Sequence, residues 1–387
     1  MQPFIFHNPT KIVFGPNMVN KVGKSTASYG KKALLVYGQN SIKRSGVYDQ
    51  VTSSLQAAGV SWIDHAGVKS NPVLSHVNAG ISLAKQQQVD VVVAVGGGSV
   101  LDEAKAICAG AKTAGDVWDF FCDKAQIKDA LPLVTVLTLA ATGSEMNSGG
   151  VVTNEVTQQK FNLGSAHLFP KVSILDPCIT YTVPLDYTAY SGVDAISHLI
   201  EGYFTSNDSA TPLQDRFVEG LIQTIIESTE QILVQPDHPE ARATMMWAAT
   251  WALNGLSTAG IGAYGFPNHM IEHSLSALYD IAHGAGLSIV IPGWMAYKAE
   301  QQPAKFAQFA ERVFGCNEGD EQERAQAGIA ALKGWFAKID SPVTLEAGGI
   351  PAGDIPAIAE NATMLAQKWG LTEYSSDVIA SILKRCC

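Results

Sequence analysis

Val91-Val92-Val93-Ala94-Val95 runs directly into Gly96-Gly97-Gly98-Ser99, and Val100-Leu101-Asp102-Glu103-Ala104-Lys105-Ala106-Ile107 follows without a break. An uninterrupted β-branched run is the pattern of a strand buried on both faces, and the segment beyond the glycines has the composition of a helix. Strand, glycine turn and helix in that order form an anion cradle. Glycines let the backbone turn without side chains, so free amides and the positive helix N-terminus can approach a pyrophosphate. The turn lacks the G-x-G-x-x-G spacing of the common dinucleotide fingerprint, and it is the strand and helix on either side that separate it from a flexible linker. Ser99, with Asp102 three residues on, also has the spacing of a helix cap.

Other short β-branched runs lie around this one: residues 33–37, 133–137 and 172–175, with residues 150–153 and 160–162 flanking a polar tip as a hairpin. Up to residue 185 they alternate with helical segments, which predicts a parallel α/β sheet. Beyond Asp186 strand signals fade, and Leu213, Phe217, Leu221 and Ile225 recur at helical spacing. Pro184-Leu185-Asp186 marks the boundary, giving an α/β domain over 1–185 and an all-helical domain over 186–387.

Two further loops belong with the glycine turn. After the first of those runs the chain reads Tyr37-Gly38-Gln39-Asn40-Ser41-Ile42-Lys43-Arg44, where the adenine ribose of NAD would meet a carboxylate. None is present, and Asn40, Ser41, Lys43 and Arg44 suit the extra phosphate of NADP. Gly38, Gln39 and Ser41 are the expected contacts. The stretch from Thr138-Leu139 through Thr142-Gly143-Ser144-Glu145 to Asn147 follows a strand where open α/β sheets carry cofactor loops, and is expected to line the nicotinamide end.

The second half carries a different chemistry. Asp194 and His198 stand four residues apart in an apolar helical pattern, so they share a face. His269 and His273 repeat the spacing, and His283 follows ten residues after His273. Carboxylate and imidazoles in this arrangement are the donors of a divalent metal. Spacing leaves open which two of His269, His273 and His283 would bind it. Trp247, Trp251, Leu253, Tyr264, Phe266 and Met270 make the surroundings apolar, and between residues 186 and 298 only Arg216 and Arg242 are cationic, which disfavours a phosphorylated or polycarboxylate substrate.

Composition narrows the classes. The chain has 387 residues, is 47% hydrophobic and carries a net charge of -10 with 26 Lys plus Arg, so it offers no basic stripe for nucleic acid and no apolar run that spans a bilayer. Six scattered cysteines form no Cys-x-x-Cys pair, and the N-terminus lacks the pattern of a secretory signal, so a cytoplasmic location is expected.

Taken together, Gly96-Gly97-Gly98-Ser99-Val100-Leu101-Asp102, Thr142-Gly143-Ser144-Glu145, Asp194-x3-His198 and His269-x3-His273-x9-His283 resemble the iron-type, or group III, alcohol dehydrogenases in order and spacing. Tyr37-Gly38, Met246-Trp247-Ala248-Ala249-Thr250 and Asn254-Gly255-Leu256 make the chain most similar to the NADP-dependent aldehyde reductase and butanol dehydrogenase branch. The resemblance implies the dehydroquinate synthase-like architecture, an α/β dinucleotide-binding domain followed by an all-helical one, with a metal in the cleft between them. It assigns iron or zinc to Asp194, His198, His269 and His283, and leaves His273 as a candidate proton relay. Asn71, Lys160 and Thr182 complete the expected cofactor contacts beside Gly97, Gly98, Ser99 and Asp102. It further implies reversible hydride transfer between NADPH and small uncharged aldehydes or primary alcohols, in a homodimer. Asn268 and Glu272 depart from the small or apolar neighbours common in the family, and helical geometry reads Glu272 as a surface or outer-sphere group. The competing classes are a dehydroquinate synthase-like lyase or glycerol-1-phosphate dehydrogenase, whose anionic substrates need basic pocket residues; a metal hydrolase that uses no nucleotide; and a non-catalytic, metal-stabilised binding protein.

Overall fold

A computed structural model describes residues 1–208 and 210–387. The first part of the chain runs β1 (Lys11–Phe14), α1 (Val22–Ala27), β2 (Lys32–Tyr37), α2 (Ser41–Arg44), α3 (Val47–Ala57), β3 (Ser61–Ala66), α4 (Leu74–Gln87), β4 (Val91–Gly96), α5 (Gly98–Ala111), α6 (Trp118–Phe121), β5 (Leu133–Leu137), β6 (Gly149–Asn154), β7 (Gln159–Gly164) and β8 (Val172–Leu175). Helices follow: α7 (Leu185–Thr205), α8 (Pro212–Val234), α9 (Pro239–Ala252), α10 (Pro267–Tyr279), α11 (His283–Ala299), α12 (Pro303–Phe314), α13 (Glu321–Lys338), α14 (Ile355–Lys368) and α15 (Ser376–Lys384). None of the described helices is long and apolar enough to cross a membrane.

Six strands form one parallel sheet in the order β1-β8-β5-β4-β2-β3, and β6 with β7 makes the antiparallel hairpin. Val91 to Val95 of β4 are fully buried, as the continuous valine run requires of an inner parallel strand. From β2 the chain steps outward to β3, then returns to the other side of β2 for β4. The order therefore reverses between β2 and β4, where Tyr37 pairs with Val95. A ligand crevice in an open α/β sheet lies outside the carboxyl ends of the strands at such a reversal. The turns after Tyr37 and after Gly96 both open there.

The chain separates into two compact units, one of residues His7–Val183 with Gln235–Asn254, the other of Met1–Phe6, Pro184–Val234 and Gly255–Cys387. This differs from a single boundary at 185, because two segments cross over. Residues 235–254 join the sheet unit: α9 packs on the turns at Ser144–Met146 and Pro177–Thr180, and Thr250 Oγ1 donates to the buried Glu145 carboxylate. The first six residues join the helical unit, where Gln2 N donates to Gly260 O at 2.8 Å. On α8 the buried stripe is Val218, Ile222, Ile225 and Ile232, so Ile225 of the stripe read at 213, 217, 221 and 225 is in the core, Phe217 and Leu221 are half-buried beside it, and Leu213 is exposed.

Candidate functional site

In the sheet unit, α5 starts at Gly98 directly after β4. A Cβ on Gly98 would stand 2.4 Å from Thr142 Oγ1 and Cγ2, so the absence of a side chain is what lets the 138–147 loop close onto the helix start. Neither Ser99 nor Asp102 caps the helix. Ser99 Oγ donates to Ser70 O, and Asp102 accepts from Ser144 Oγ at 2.6 Å and from Val151 N at 3.0 Å. Asp102 is thus an anchor for two loops. Burial raises its carboxyl above the usual carboxylate range, against the pull of Lys105.

Lys105, fully buried one turn further along α5, was not legible as a site residue. Its ammonium donates to Ser144 Oγ and Asn147 Oδ1 at 2.9 Å each and to Gly149 O at 2.6 Å. Desolvation lowers its pKa to about 8, while Asp102 and Glu145 oppose the shift. The network fixes Asp102, Ser144 and Asn147 relative to one another. Asn71 and Lys160 also meet, with Lys160 Nζ donating to Asn71 Oδ1 at 3.2 Å. Thr138 N bonds Gly96 O at 3.0 Å, which aligns the start of the third loop with the glycine turn. Leu139 would lie 3.0 Å from a Cβ on Gly97. Gly38 is half-buried at the end of β2, whereas Gln39, Ser41 and Thr182 are exposed. Lys43 is turned over the rings of Tyr37 and Tyr48, 5.3 and 5.1 Å from their centroids.

The helical unit holds the second constellation. Asp194, His198 and Glu201 share one face of α7; His269, Glu272 and His273 share one face of α10; His283 opens α11. Gly284 allows α11 to approach α7, since a Cβ there would stand 2.2 Å from Tyr190 O. One ligand atom from each of Asp194, His198 and His269 lies within 4.8 Å of the others. His283 joins them through Nε2, 3.6 Å from Asp194 Oδ1. His273 instead groups with Glu272 and His283.

Two carboxylates organise this set. Glu201 Oε1 accepts from His269 N at 2.9 Å and lies 2.9 Å from His269 Nδ1, while Oε2 accepts from Asn268 Nδ2 at 2.9 Å. The N-terminal amide of α10 and the imidazole are thus held by one buried acid. Glu272 Oε2 bonds His283 Nδ1 and Oε1 accepts from Ser276 Oγ. Its side chain is fully buried, which corrects the surface alternative, and its bond to His283 Nδ1 fits the outer-sphere one. Asn268, the other departure, is the partner of Glu201. Since Nδ1 of each imidazole faces a carboxylate, the Nε2 lone pairs of His269 and His283 are available for a cation.

His198 supplies the test of fit. Its Nδ1 is buried, lacks a hydrogen-bond partner among the described residues, and lies 3.7 Å from Asp194 Oδ1. Burial lowers its pKa well below the usual imidazole range, with His269 and His283 adding to the shift. A neutral, buried ring beside a carboxylate and two more imidazoles is the donor set of a zinc or ferrous ion.

The apolar residues read as one lining do not act as one. Met270 is fully buried in the helical unit, and Trp247 packs on Phe14 and Trp251 in the sheet unit. Phe266 stays beside the imidazoles, 5.3 Å from the His269 ring, and Trp369, which the sequence did not single out, lies 5.6 Å from His273. Arg242 is buried with Nε donating to Pro236 O at 2.7 Å in the sheet unit.

Family comparison agrees with this chemistry. Residues 9–177 match the iron-containing alcohol dehydrogenase family, and residues 188–386 match the C-terminal domain of the Fe-containing alcohol dehydrogenase family. The chain belongs to the iron-containing alcohol dehydrogenases. It is 45% identical over 387 residues, 99% of each chain, to a probable NADH-dependent butanol dehydrogenase 1 of Bacillus subtilis (strain 168). With the NADPH-dependent aldehyde reductase YqhD of Escherichia coli (strain K12) it shares 36% identity over 390 residues, covering 100% of this chain and 98% of the relative. The crystal structure of an NADH-dependent butanol dehydrogenase A from Thermotoga maritima superposes with a TM-score of 0.96 at 46% identity, covering 100% and 99% of the two chains. Membership of this iron-containing family implies an alcohol dehydrogenase or aldehyde reductase that works with a divalent metal and a nicotinamide cofactor.

Proposed function

We propose that this alcohol dehydrogenase is an NADPH-dependent aldehyde reductase that interconverts small uncharged aldehydes and primary alcohols, with a divalent iron or zinc ion held by Asp194, His198, His269 and His283. The observation that carries the reading is the pair of buried carboxylates, Glu201 and Glu272, each bonded to Nδ1 of an imidazole in the set. When bound, the cation would polarise a carbonyl oxygen and the nicotinamide would supply the hydride.

The residues of the chain do the rest. Glu201 and Glu272 fix the ring orientation of His269 and His283 and leave Nε2 of each as the donor towards the cation. Phe266 and Trp369 keep the neighbourhood of the imidazoles apolar. His273, 4% exposed and with its ring centroid 5.7 Å from that of His283, donates the proton that the reduced oxygen takes up. Assay of the metal-reconstituted protein with NADPH and NADH against short aldehydes tests the whole reading. Reduction of none of them with either cofactor would overturn it.

NADPH preference rests on the absence of an acidic side chain from residue 38 to residue 48 and on the cations Lys43 and Arg44. Gly38→Asp is sterically tolerable, because a Cβ there meets only Val68 O, at 3.6 Å. The variant is expected to lower kcat/KM for NADPH roughly tenfold or more, as a carboxylate repels the 2′ phosphate, and to raise relative use of NADH. A wild-type enzyme already more efficient with NADH would contradict the preference.

His273→Ala is expected to retain metal and cofactor while kcat falls roughly 10²-fold or more, with a changed pH profile. Metal loss would make His273 a ligand instead. Near-normal turnover with an unchanged profile would leave it a packing residue.

A further inference from the structure

A second cluster of metal-ligating side chains lies in the sheet unit, outside the constellation of α7, α10 and α11. It joins three elements: His65 on β3, His76 in the first turn of α4, and Glu103 on α5. Glu103 Oε1 lies 3.1 Å from His65 Nε2 and 2.6 Å from His76 Nδ1, and the two rings stack with centroids 4.2 Å apart. Gly80 makes room for this, since a Cβ there would stand 2.9 Å from His65 Nε2.

Hydrogen bonding settles one tautomer. His76 Nε2 lies 3.1 Å from Ala66 O, and a carbonyl only accepts, so Nε2 carries the hydrogen. A neutral His76 then points the Nδ1 lone pair at a carboxylate oxygen. Two acceptors at that separation require a cation between them, either a proton or a metal ion. Glu103 is fully buried, and its second oxygen, Oε2, makes no hydrogen bond among the described residues. A proton on His76 balances the carboxylate charge but leaves Oε2 without a partner, whereas a dication held by the carboxylate can be shared between its two oxygens.

The structure assigns His65, His76 and Glu103 as a second metal site, for a borderline-soft divalent transition ion such as Zn2+, Co2+ or Ni2+. Two imidazoles and one carboxylate are poor donors for Ca2+ or Mg2+, which take oxygen ligands. Bonds of about 2.0–2.2 Å in a tetrahedral arrangement separate ligand atoms by roughly 3.3 Å. His65 and Glu103 already stand at 3.1 Å, and His76 need withdraw only by about 0.7 Å. The His76 side chain is 26% exposed, which gives entry and leaves a coordination position for water. An ion here would clamp edge strand β3 and α4 to α5, the helix that begins at the glycine cradle. Ser99 Oγ, donating to Ser70 O, already ties the β3–α4 loop to the first turn of that helix.

The test uses untagged full-length protein stripped by chelator and titrated with Co2+, read by visible d–d absorption and by elemental analysis after gel filtration. Two ions per chain are expected for the wild type, one for His76→Gln, one for His283→Ala, and none for the double variant. Glu103→Gln, which keeps the side-chain shape, should also lose one ion. His76→Gln alters a partly exposed side chain, and a thermal unfolding curve confirms that it folds. Two ions retained in both His76→Gln and Glu103→Gln would overturn the site. So would a single ion in the wild type that persists in His76→Gln and disappears in His283→Ala, which would make the cluster a protonated ion pair. A single ion lost in His76→Gln but kept in His283→Ala would support this site and overturn the other.

Discussion

His283→Ala is expected to release the metal and to lower kcat/KM for aldehyde reduction roughly thousandfold or more, about 4 kcal/mol of transition-state stabilisation. The imidazole is the link between Asp194 Oδ1, at 3.6 Å from its Nε2, and the buried Glu272 carboxylate on its Nδ1. Its removal takes away a donor and leaves Glu272 short of a partner. His283 is preferable to His198 for this experiment. Its side chain is 23% exposed, against 6% for His198, so truncation leaves less of a buried cavity and loss of metal can be told apart from loss of fold. Elemental analysis, kcat/KM and thermal unfolding are measured together on the same preparation. A variant that keeps full metal content at this site with normal turnover would remove His283 from the donor set and with it the proposed Lewis-acid role.

The legibility of the sequence followed burial. β4 and the glycine turn could be read because an inner parallel strand needs apolar residues on both faces, and Val91 to Val95 supply them without interruption. Edge strands β1 and β3 escaped for the opposite reason. Ser61–Ala66 carries Ser61, Asp64 and His65 among three apolar residues and is half covered, so it has no apolar run to recognise. On α8, of the stripe Leu213, Phe217, Leu221 and Ile225 only Ile225 reaches the core, while Phe217 and Leu221 are half-buried and Leu213 is exposed, because Val218 and Ile222 next to them take the inward positions. At this constellation, i, i+4 spacing made Asp194 with His198 and His269 with His273 legible, and the family resemblance supplied the choice of His269 and His283, whereas Glu201 was not legible. It lies three residues after His198 on the same buried face, which is a usable signal: a carboxylate on the apolar side of a helix needs a partner. Glu272 is read as a surface or outer-sphere group, and only the surface alternative fails. Its solvation depends on α11, because a Cβ on Gly286 would stand 2.7 Å from Glu272 Oε1, and no local pattern reports that approach. Lys105 escaped for a similar reason, as all three of its acceptors come from the 144–149 stretch roughly forty residues on.

Glu272→Gln is expected to weaken metal binding roughly 10–100-fold while leaving the fold intact. The amide keeps the size of the acid and can still accept from His283 Nδ1, so orientation is largely retained. What disappears is the negative charge that makes the opposite nitrogen a better donor. Turnover should therefore recover at saturating metal, in contrast to His283→Ala, where added metal cannot replace the missing ligand. Glu201→Gln provides the comparison. That carboxylate holds His269 Nδ1, the His269 amide and the Asn268 side chain at once, so the amide substitute must give up at least part of the α10 cap, and both thermal stability and metal affinity should fall. Competition with a chromophoric chelator measures affinity in both variants, and unfolding midpoints separate the two effects. If Glu272→Gln binds Zn2+ as tightly as the wild type, the Glu272–His283 bond is a packing contact and the carboxylate does not tune the centre. If Glu201→Gln loses affinity without losing stability, the acid acts on His269 alone, and α10 is held in place by its packing rather than by the cap.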